Sequence, residues 1–169
     1  MAYRATGSSA TALTKRNAER MAANDTIPRD RDAYDQFTSV TMRFSDTDAM
    51  GHVNNVATAA YFESGRFGFF GHLFSDTHTP WNGMILASVS IDYLREILFP
   101  GTVEIGGRLA ALGDRSMTTH YAIFKGGQCC AVSQAVTVFF DPVKRISAAP
   151  EPQVRASLEA YMAANPTAG

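Results

Sequence analysis

The segment from residue 56 to residue 73 most constrains the fold, because its apolar residues cannot all lie on one side of a helix. These residues are Val56, Tyr61, Phe62, Phe67, Phe69, Phe70 and Leu73. A helix that is apolar nearly all round is normally a buried one. Gly65, Gly68 and Gly71 recur every three residues, and each costs about 1 kcal/mol of helix propensity relative to alanine. We therefore expect a buried helix that packs its glycine face closely on a sheet and ends near Gly71.

Alternating apolar and polar residues before and after this segment are typical of strands with one buried face. The runs are Thr38–Phe44, Met84–Glu96, Thr102–Leu112, Ser116–Lys125 and Gln128–Phe140. Glycine and proline turn residues separate the last four runs, and short turns favour antiparallel neighbours. The sequence therefore predicts an α+β domain over residues 36–148, with a five-stranded antiparallel sheet wrapped around one long central helix.

The last of these runs has two different faces. Small residues occupy one face and larger apolar residues the other: Ala131, Ser133, Ala135 and Thr137 against Val132, Val136, Val138 and Phe140. A strip of small side chains leaves room for close packing, so this face could lie against a helix.

The two ends of the chain differ from this domain. Residues 1–35 are rich in polar and basic residues and are expected to form a flexible extension. Residues 149–169 are expected to hold an amphipathic helix from Glu151 to Ala164, followed by a tail.

Composition excludes several classes of function. The formal net charge of the 169 residues is −1, which gives no electrostatic basis for nucleic-acid binding. No apolar run reaches the roughly 18 residues of a membrane span. Cys129 and Cys130 are adjacent and would point to opposite faces of a strand, which disfavours a disulfide between them. A cytoplasmic protein is the expectation.

Residues 46–55 place two carboxylates, a glycine, a histidine and two asparagines between a predicted strand and the predicted helix. Backbone N–H groups are free at a helix start and receive negative charge well. A carboxylate beside such donors could open an activated acyl bond. The alternative is a turn and helix cap, for which aspartate and asparagine are also favoured. A calcium loop starting at Asp46 fails, because Ala57 stands where the bidentate glutamate is needed.

The stretch from Arg43 to Asn55, followed by Tyr61-Phe62-Glu63 and Arg66, resembles the signature of the 4-hydroxybenzoyl-CoA thioesterase family of hotdog-fold acyl-CoA thioesterases. Shorter pieces are similar as well, at residues 91–95, 113–116 and 136–141. The resemblance covers about residues 38–148. It implies the hotdog fold, in which an antiparallel sheet wraps a helix, and hydrolysis of an acyl-CoA to free acid and CoA.

The resemblance also implies roles for individual residues. Asp48 would be the catalytic carboxylate, acting as nucleophile or general base, and the backbone N–H of Asn55 would polarise the thioester carbonyl. Gly51 and His52 complete the catalytic candidates. Some relatives carry a histidine where this chain has Asn55, so His52 either supplies that function or braces the loop.

Two further assignments concern residues outside the stretch 46–55. Arg115 and Ser116 are the family-like candidates for binding the phosphates of coenzyme A. No cofactor is expected other than the coenzyme A carried by the substrate, and no metal. Glu63 is a rival catalytic base, although a pair with Arg66, three residues on, is the preferred interpretation.

Two other functions remain open: a hotdog enoyl-thioester hydratase or dehydratase, and a non-catalytic acyl-CoA binding module. The unpaired edge of a single sheet favours pairing with another chain. A homodimer or homotetramer with its active sites at the subunit interface is therefore expected, without nucleic-acid or membrane partners. The acyl group is not specified, because the aromatic candidates for its pocket would serve equally well in a core. They are Phe62, Phe67, Phe70 and Trp81.

Overall fold

The computed structural model describes residues 27–75 and 83–166. Its strands are β1 (Gln36–Thr41), β2 (Met84–Tyr93), β3 (Thr102–Leu112), β4 (Ser116–Lys125), β5 (Gln128–Asp141) and β6 (Ile146–Ser147). Its α-helices are α1 (Asn55–Leu73) and α2 (Pro152–Ala164), and short 3-10 turns span Arg31–Ala33 and Phe44–Asp46. The predicted α+β class is confirmed, with a short sixth strand and a second helix beyond the central elements.

The sheet is antiparallel with the strand order β1-β3-β4-β5-β2, and β6 pairs with the end of β5. The expectation that short turns join four neighbouring strands is wrong for β2 and β3, because β2 pairs with β5 from Met84↔Phe139 to Tyr93↔Ala131. Residues 94–101 instead carry the chain from one edge of the sheet toward β3. This crossing segment later forms one wall of the candidate site.

Helix α1 packs on one face of the sheet, over β1, β3 and β4. A Cβ added at Gly65 would overlap the side chain of Ile105, and one added at Gly68 would overlap Thr38. These contacts confirm that the glycine face permits close packing. Gly71 is exposed with open space at its Cβ position, and the helix continues two residues past it to Leu73.

The small residues of β5 lie on the face that carries α1, although the helix does not pass directly over them. Ala131, Ser133, Ala135 and Thr137 are all buried. The large residues Val132, Val136 and Val138 lie on the opposite, outer face. The predicted division of the strand into two faces is therefore confirmed.

The outer face of the sheet has its own apolar cluster, formed with a segment that precedes β1. Its buried members are Ile27, Tyr34, Ala122, Phe124 and Val132. The segment is also held by Arg31, whose guanidinium lies 2.9 Å from the Glu104 carboxylate. Residues 27–35, placed by the sequence in a flexible extension, therefore pack against the sheet, while residues 1–26 lie outside the described part of the chain.

Helix α2 buries Val154 and Leu158 in the apolar core between α1 and the sheet. The predicted C-terminal helix is confirmed, although it begins at Pro152, one residue later than expected. Tyr161 on the same helix packs edge-on against Phe69 of α1. Neither helix in the described ranges is long and apolar enough to cross a membrane.

Candidate active site

Asp46 anchors the loop between β1 and α1. Its side chain is only 4% exposed and accepts hydrogen bonds from the Tyr61 hydroxyl at 2.6 Å and the Arg43 N–H at 2.9 Å. These bonds, that from Tyr61 foremost, hold the pKa of the Asp46 carboxyl below its ordinary value. The Asp46 carbonyl also accepts from the backbone and side-chain N–H groups of Asn54. Asp46 therefore fixes the strand end to the helix start.

The first turn of α1 keeps two backbone donors available. Asn54 is the N-cap, and its Oδ1 accepts from the Ala57 N–H at 2.8 Å. The N–H of Asn54 donates to Asp46, but no acceptor within residues 27–75 and 83–166 reaches those of Asn55 and Val56. Both lie at the positive end of the helix, where an oxygen bearing negative charge is stabilised.

Asp48 lies in a tight turn in which both hydrogen bonds to its side chain use one carboxylate oxygen. Its Oδ1 accepts from the N–H groups of Met50 at 2.8 Å and His52 at 3.1 Å, and its own N–H donates to the His52 carbonyl. Gly51 takes φ +82° to close the turn, a conformation that favours glycine. The side chain of Asp48 is held at one oxygen, and Oδ2 receives no hydrogen bond from the described residues.

His52 pairs with a carboxylate that the sequence did not single out. Its Nε2 lies 3.1 Å from Glu96 Oε2. The crossing segment brings Glu96 there, because the Val53 N–H donates to the Ile97 carbonyl at 2.8 Å and His52 forms a β-bridge with Leu98. Helix α1 and strand β2 separate the two residues in sequence, so no local spacing could have revealed the pair.

These groups surround one cavity of about 540 Å³, a size suited to a small-molecule site. Its lining includes Asp48, His52, Asn54, Asn55, Thr58, Tyr93, Arg95, Glu96 and Ala131. The structure therefore brings together Asp48, His52 and Asn55, and it adds Glu96 and Arg95. Gly51 does not line the cavity, and its contribution is to close the turn that positions Asp48.

Arg115 and Ser116 do not reach this cavity within one chain. They lie at the start of β4, where Ser116 pairs with Val138, whereas the cavity lies beside Ala131. Seven residues of β5 separate the two levels, or about 23 Å of strand. Their proposed contact with coenzyme A remains a prediction.

Glu63 does not line the cavity either. Its carboxylate lies 3.7 Å from the Arg66 guanidinium, which confirms the expected pair. In the described ranges, no group of three or more His, Cys, Asp or Glu side chains could hold a metal ion.

Comparison with known proteins places this geometry in a family. The model of the thioesterase-like superfamily matches residues 42–158. A thioesterase from Thermus thermophilus, solved in complex with coenzyme A and zinc, is 26% identical with a TM-score of 0.68; the match covers 78% of this chain and 96% of that one. A protein from Bacillus stearothermophilus, described as a predicted thioesterase, is also 26% identical, with a TM-score of 0.66 over 74% of this chain and 94% of that one.

A curated relative, the uncharacterized protein YsmA of Bacillus subtilis strain 168, is 36% identical over 85 residues. The match covers 50% of this chain and 58% of YsmA, less than two thirds of that protein's length. The family match spans more than half of the chain and includes the loop, α1 and the crossing segment that form the cavity. The chain therefore belongs to the thioesterase-like superfamily.

Proposed function

We propose that the protein hydrolyses acyl-CoA thioesters to the free acid and CoA, in the manner of the 4-hydroxybenzoyl-CoA thioesterase family. One observation carries the proposal: the Asp48 carboxylate and the start of α1, with its unfilled Asn55 N–H, line the same cavity. A reacting thioester needs these two elements together, a carboxylate to start the reaction and donors for the carbonyl oxygen.

The carbonyl oxygen of the thioester would accept hydrogen bonds from the N–H groups of Asn55 and Val56. As nucleophile, Asp48 Oδ2 forms a bond to the carbonyl carbon, the C–S bond breaks, and CoA leaves as a thiolate that takes up a proton. Water then cleaves the mixed anhydride and restores Asp48. As general base, Asp48 instead takes a proton from the water that attacks the carbonyl directly.

His52 and Glu96 supply a second polar pair beside Asp48. The imidazole can hold and pass a proton, and the carboxylate at 3.1 Å orients it. In the proposed reaction, a protonated His52 provides the proton that the leaving thiolate takes up, and the water consumed in hydrolysis returns a proton to the imidazole. Its backbone bonds to Asp48 keep the two groups in a fixed relation.

We also propose that the active unit is a homodimer or a larger homo-oligomer formed through β2. This strand lies at the edge of the sheet and pairs on one side with β5. Four large apolar residues on it are between 41% and 54% exposed: Ile85, Leu86, Val89 and Tyr93. A long apolar edge strand favours pairing with a second copy, and Tyr93 also lines the cavity, which would put the site at the subunit interface.

Thiol release from a panel of acyl-CoAs tests the activity. Asp48→Asn keeps an Oδ1 that can accept the N–H bonds of Met50 and His52, but it removes the carboxylate. We expect kcat to fall at least about a hundredfold, with Asp114→Asn, an exposed acid at the β3–β4 turn, as an unaffected control. Unchanged hydrolysis in the Asp48 variant would refute the assignment.

The same panel separates the alternatives. A hydratase would add water to an enoyl-CoA without releasing thiol, and a binding module would bind acyl-CoA without turnover. Rapid-quench mass spectrometry then separates the two roles of Asp48, since only nucleophilic attack forms an acyl-enzyme adduct.

Light scattering tests the assembly. The wild-type chain should have at least twice the monomer mass at micromolar concentration, and Val89→Arg should lower it. A monomeric wild-type mass would refute the proposed interface.

A further inference from the structure

The strip of small residues on β5 leads from the cavity into the protein. Ala131 lines the cavity, and Ser133, Ala135 and Thr137 follow it on the same face of the strand. Alternate residues of a strand are about 7 Å apart, so Ser133 lies one such step beyond the cavity wall. Helix α1 packs over β1, β3 and β4. The strip is flanked on its two sides by larger cross-strand neighbours, Ile91 and Val89 on β2 and Tyr121 and Met117 on β4.

Three hydroxyl groups along this path have no hydrogen-bond partner among the described residues. They are Ser133 Oγ, Thr137 Oγ1 and Tyr121 Oη, on residues that are only 1% to 2% exposed. Tyr121 is the cross-strand neighbour of Ser133 on β4. An unsatisfied buried hydroxyl is unfavourable, and a group of them calls for a ligand or ordered water as its partner.

Neighbouring hydroxyls in the same region do find protein acceptors. Thr58 Oγ1 donates to the Asn54 carbonyl at 3.0 Å, and Thr119 Oγ1 lies 3.4 Å from the Ala135 carbonyl. Burial raises the pKa of the Tyr121 hydroxyl above its ordinary value, and the nearby Thr119 hydroxyl offsets part of this rise. Tyr121 is thus a neutral hydroxyl that can donate.

We propose that this hydroxyl-lined strip binds the acyl chain and selects acyl groups that carry a hydroxyl or keto oxygen over plain alkyl chains. The proposal rests on the proposed function. Ser133 and its cross-strand neighbour Tyr121 meet an oxygen nearest the cavity, and Thr137 meets one placed deeper. A buried site built to hydrogen-bond a substrate oxygen discriminates against the analogue that lacks it, because its own polar groups are then left unpaired.

Matched substrates test the selection. Each ω-hydroxyacyl-CoA is compared with the alkyl acyl-CoA in which a methyl group replaces the hydroxyl: 4-hydroxybutanoyl with pentanoyl, 6-hydroxyhexanoyl with heptanoyl, and 8-hydroxyoctanoyl with nonanoyl. At one length we expect kcat/KM to favour the hydroxylated member by about tenfold, the scale of one net hydrogen bond. A ratio near one at every length, with thiol still released, would overturn this inference alone. No thiol release from any thioester would instead refute the proposed function.

Isosteric variants locate the groups responsible. Ser133→Ala, Thr137→Val and Tyr121→Phe each remove a hydroxyl with little change in volume. At least one of them should bring the ratio of kcat/KM for the hydroxylated and alkyl substrates toward one. Thr118→Val, on the outer face of β4, is the matched control and should keep the wild-type ratio. If all four variants keep the wild-type ratio of kcat/KM between the hydroxylated and alkyl substrates, the proposal is overturned.

Thermal unfolding of the ligand-free protein gives a readout independent of activity. If the hydroxyls have no hydrogen-bond partner in the ligand-free protein, Thr137→Val and Tyr121→Phe should raise the unfolding midpoint, because each removes an unsatisfied buried polar group. A lowered midpoint in both would show that the hydroxyls are already satisfied, by water for example, and would contradict the proposal.

Discussion

The imidazole of His52 lies 3.1 Å from the carboxylate of Glu96, at the edge of the cavity that Asp48 also lines. Strand β2 ends at Tyr93, and the crossing segment then passes beside the loop before α1. The pair is therefore a product of topology: a strand at one edge of the sheet is connected to a strand near the other edge, and the connection passes the start of the helix.

If Glu96 orients His52, the two residues act as a unit. Glu96→Gln and His52→Ala should each lower kcat by about tenfold to a hundredfold with little change in KM, and the double variant should lose much less than the product of the two effects. Glu63→Gln, which alters an exposed carboxylate of α1, should leave kcat unchanged. Losses that multiply in the double variant would show that the residues act independently.

Asp46 and Asp48 offer a second contrast, in which one carboxylate supports the fold and the other the chemistry. Asp46→Asn weakens the bonds from Tyr61 and Arg43 at a buried site, and we expect it to lower the free energy of unfolding by about 2 kcal/mol near neutral pH. Asp48→Asn, at an exposed site, should change that free energy by less than about 0.5 kcal/mol. Urea unfolding measures both, and equal effects would contradict this division.

The pH dependence of the Asp46 effect has a definite sign. Because the folded-state pKa of this carboxyl is depressed, its contribution to stability is fully present above the ordinary carboxyl pKa of about 3.9 and is lost as the pH falls through the lowered value. The difference in free energy between wild type and Asp46→Asn should therefore be largest near neutral pH and shrink below about pH 4. A difference that grows in acid would contradict the assigned hydrogen bonds.

The predictable part of this fold is the part that local residues determine. Strands β3 and β4 begin and end where expected, because turn residues flank them closely. Helix α1 was recognisable from its apolar surface, and Asp48, His52 and Asn55 lie within one short stretch of chain, so the loop that joins β1 to the helix was enough to bring them together.

The remaining features depend on contacts between distant residues. The pairing of β2 with β5 is decided by the whole sheet, and a short turn after β2 wrongly suggested a hairpin with β3. Glu96 reaches His52 only through that long-range arrangement. Burial of residues 27–35 requires the outer face of the sheet as a partner, and composition alone could not reveal it.

The glycines of α1 differ in what surrounds them, so the same substitution should have opposite effects. Gly65→Ala places a methyl group against Ile105 of β3 and should destabilise the protein by about 2 kcal/mol. Gly71→Ala enters open space and should stabilise it by up to about 1 kcal/mol through helix propensity. Chemical denaturation of the two variants checks the contrast. A stabilising Gly65→Ala would mean that the helix lies further from the sheet.

Tyr34 is one of the residues that pack the segment before β1 against the outer face of the sheet. Its ring packs edge-on against Phe124 and closely over Gly106, and its hydroxyl donates to the Pro28 carbonyl at 2.6 Å. Tyr34→Ala removes both contributions and should cost about 3 kcal/mol, whereas Tyr34→Phe removes only the hydrogen bond and should cost about 1 kcal/mol. Denaturant unfolding gives both values. Amide hydrogen exchange should also become faster in residues 27–35 of Tyr34→Ala, because the segment would lose an apolar contact with the sheet. Equal costs for the two variants would mean that the packing of the ring on the sheet adds little to the hydrogen bond within the segment.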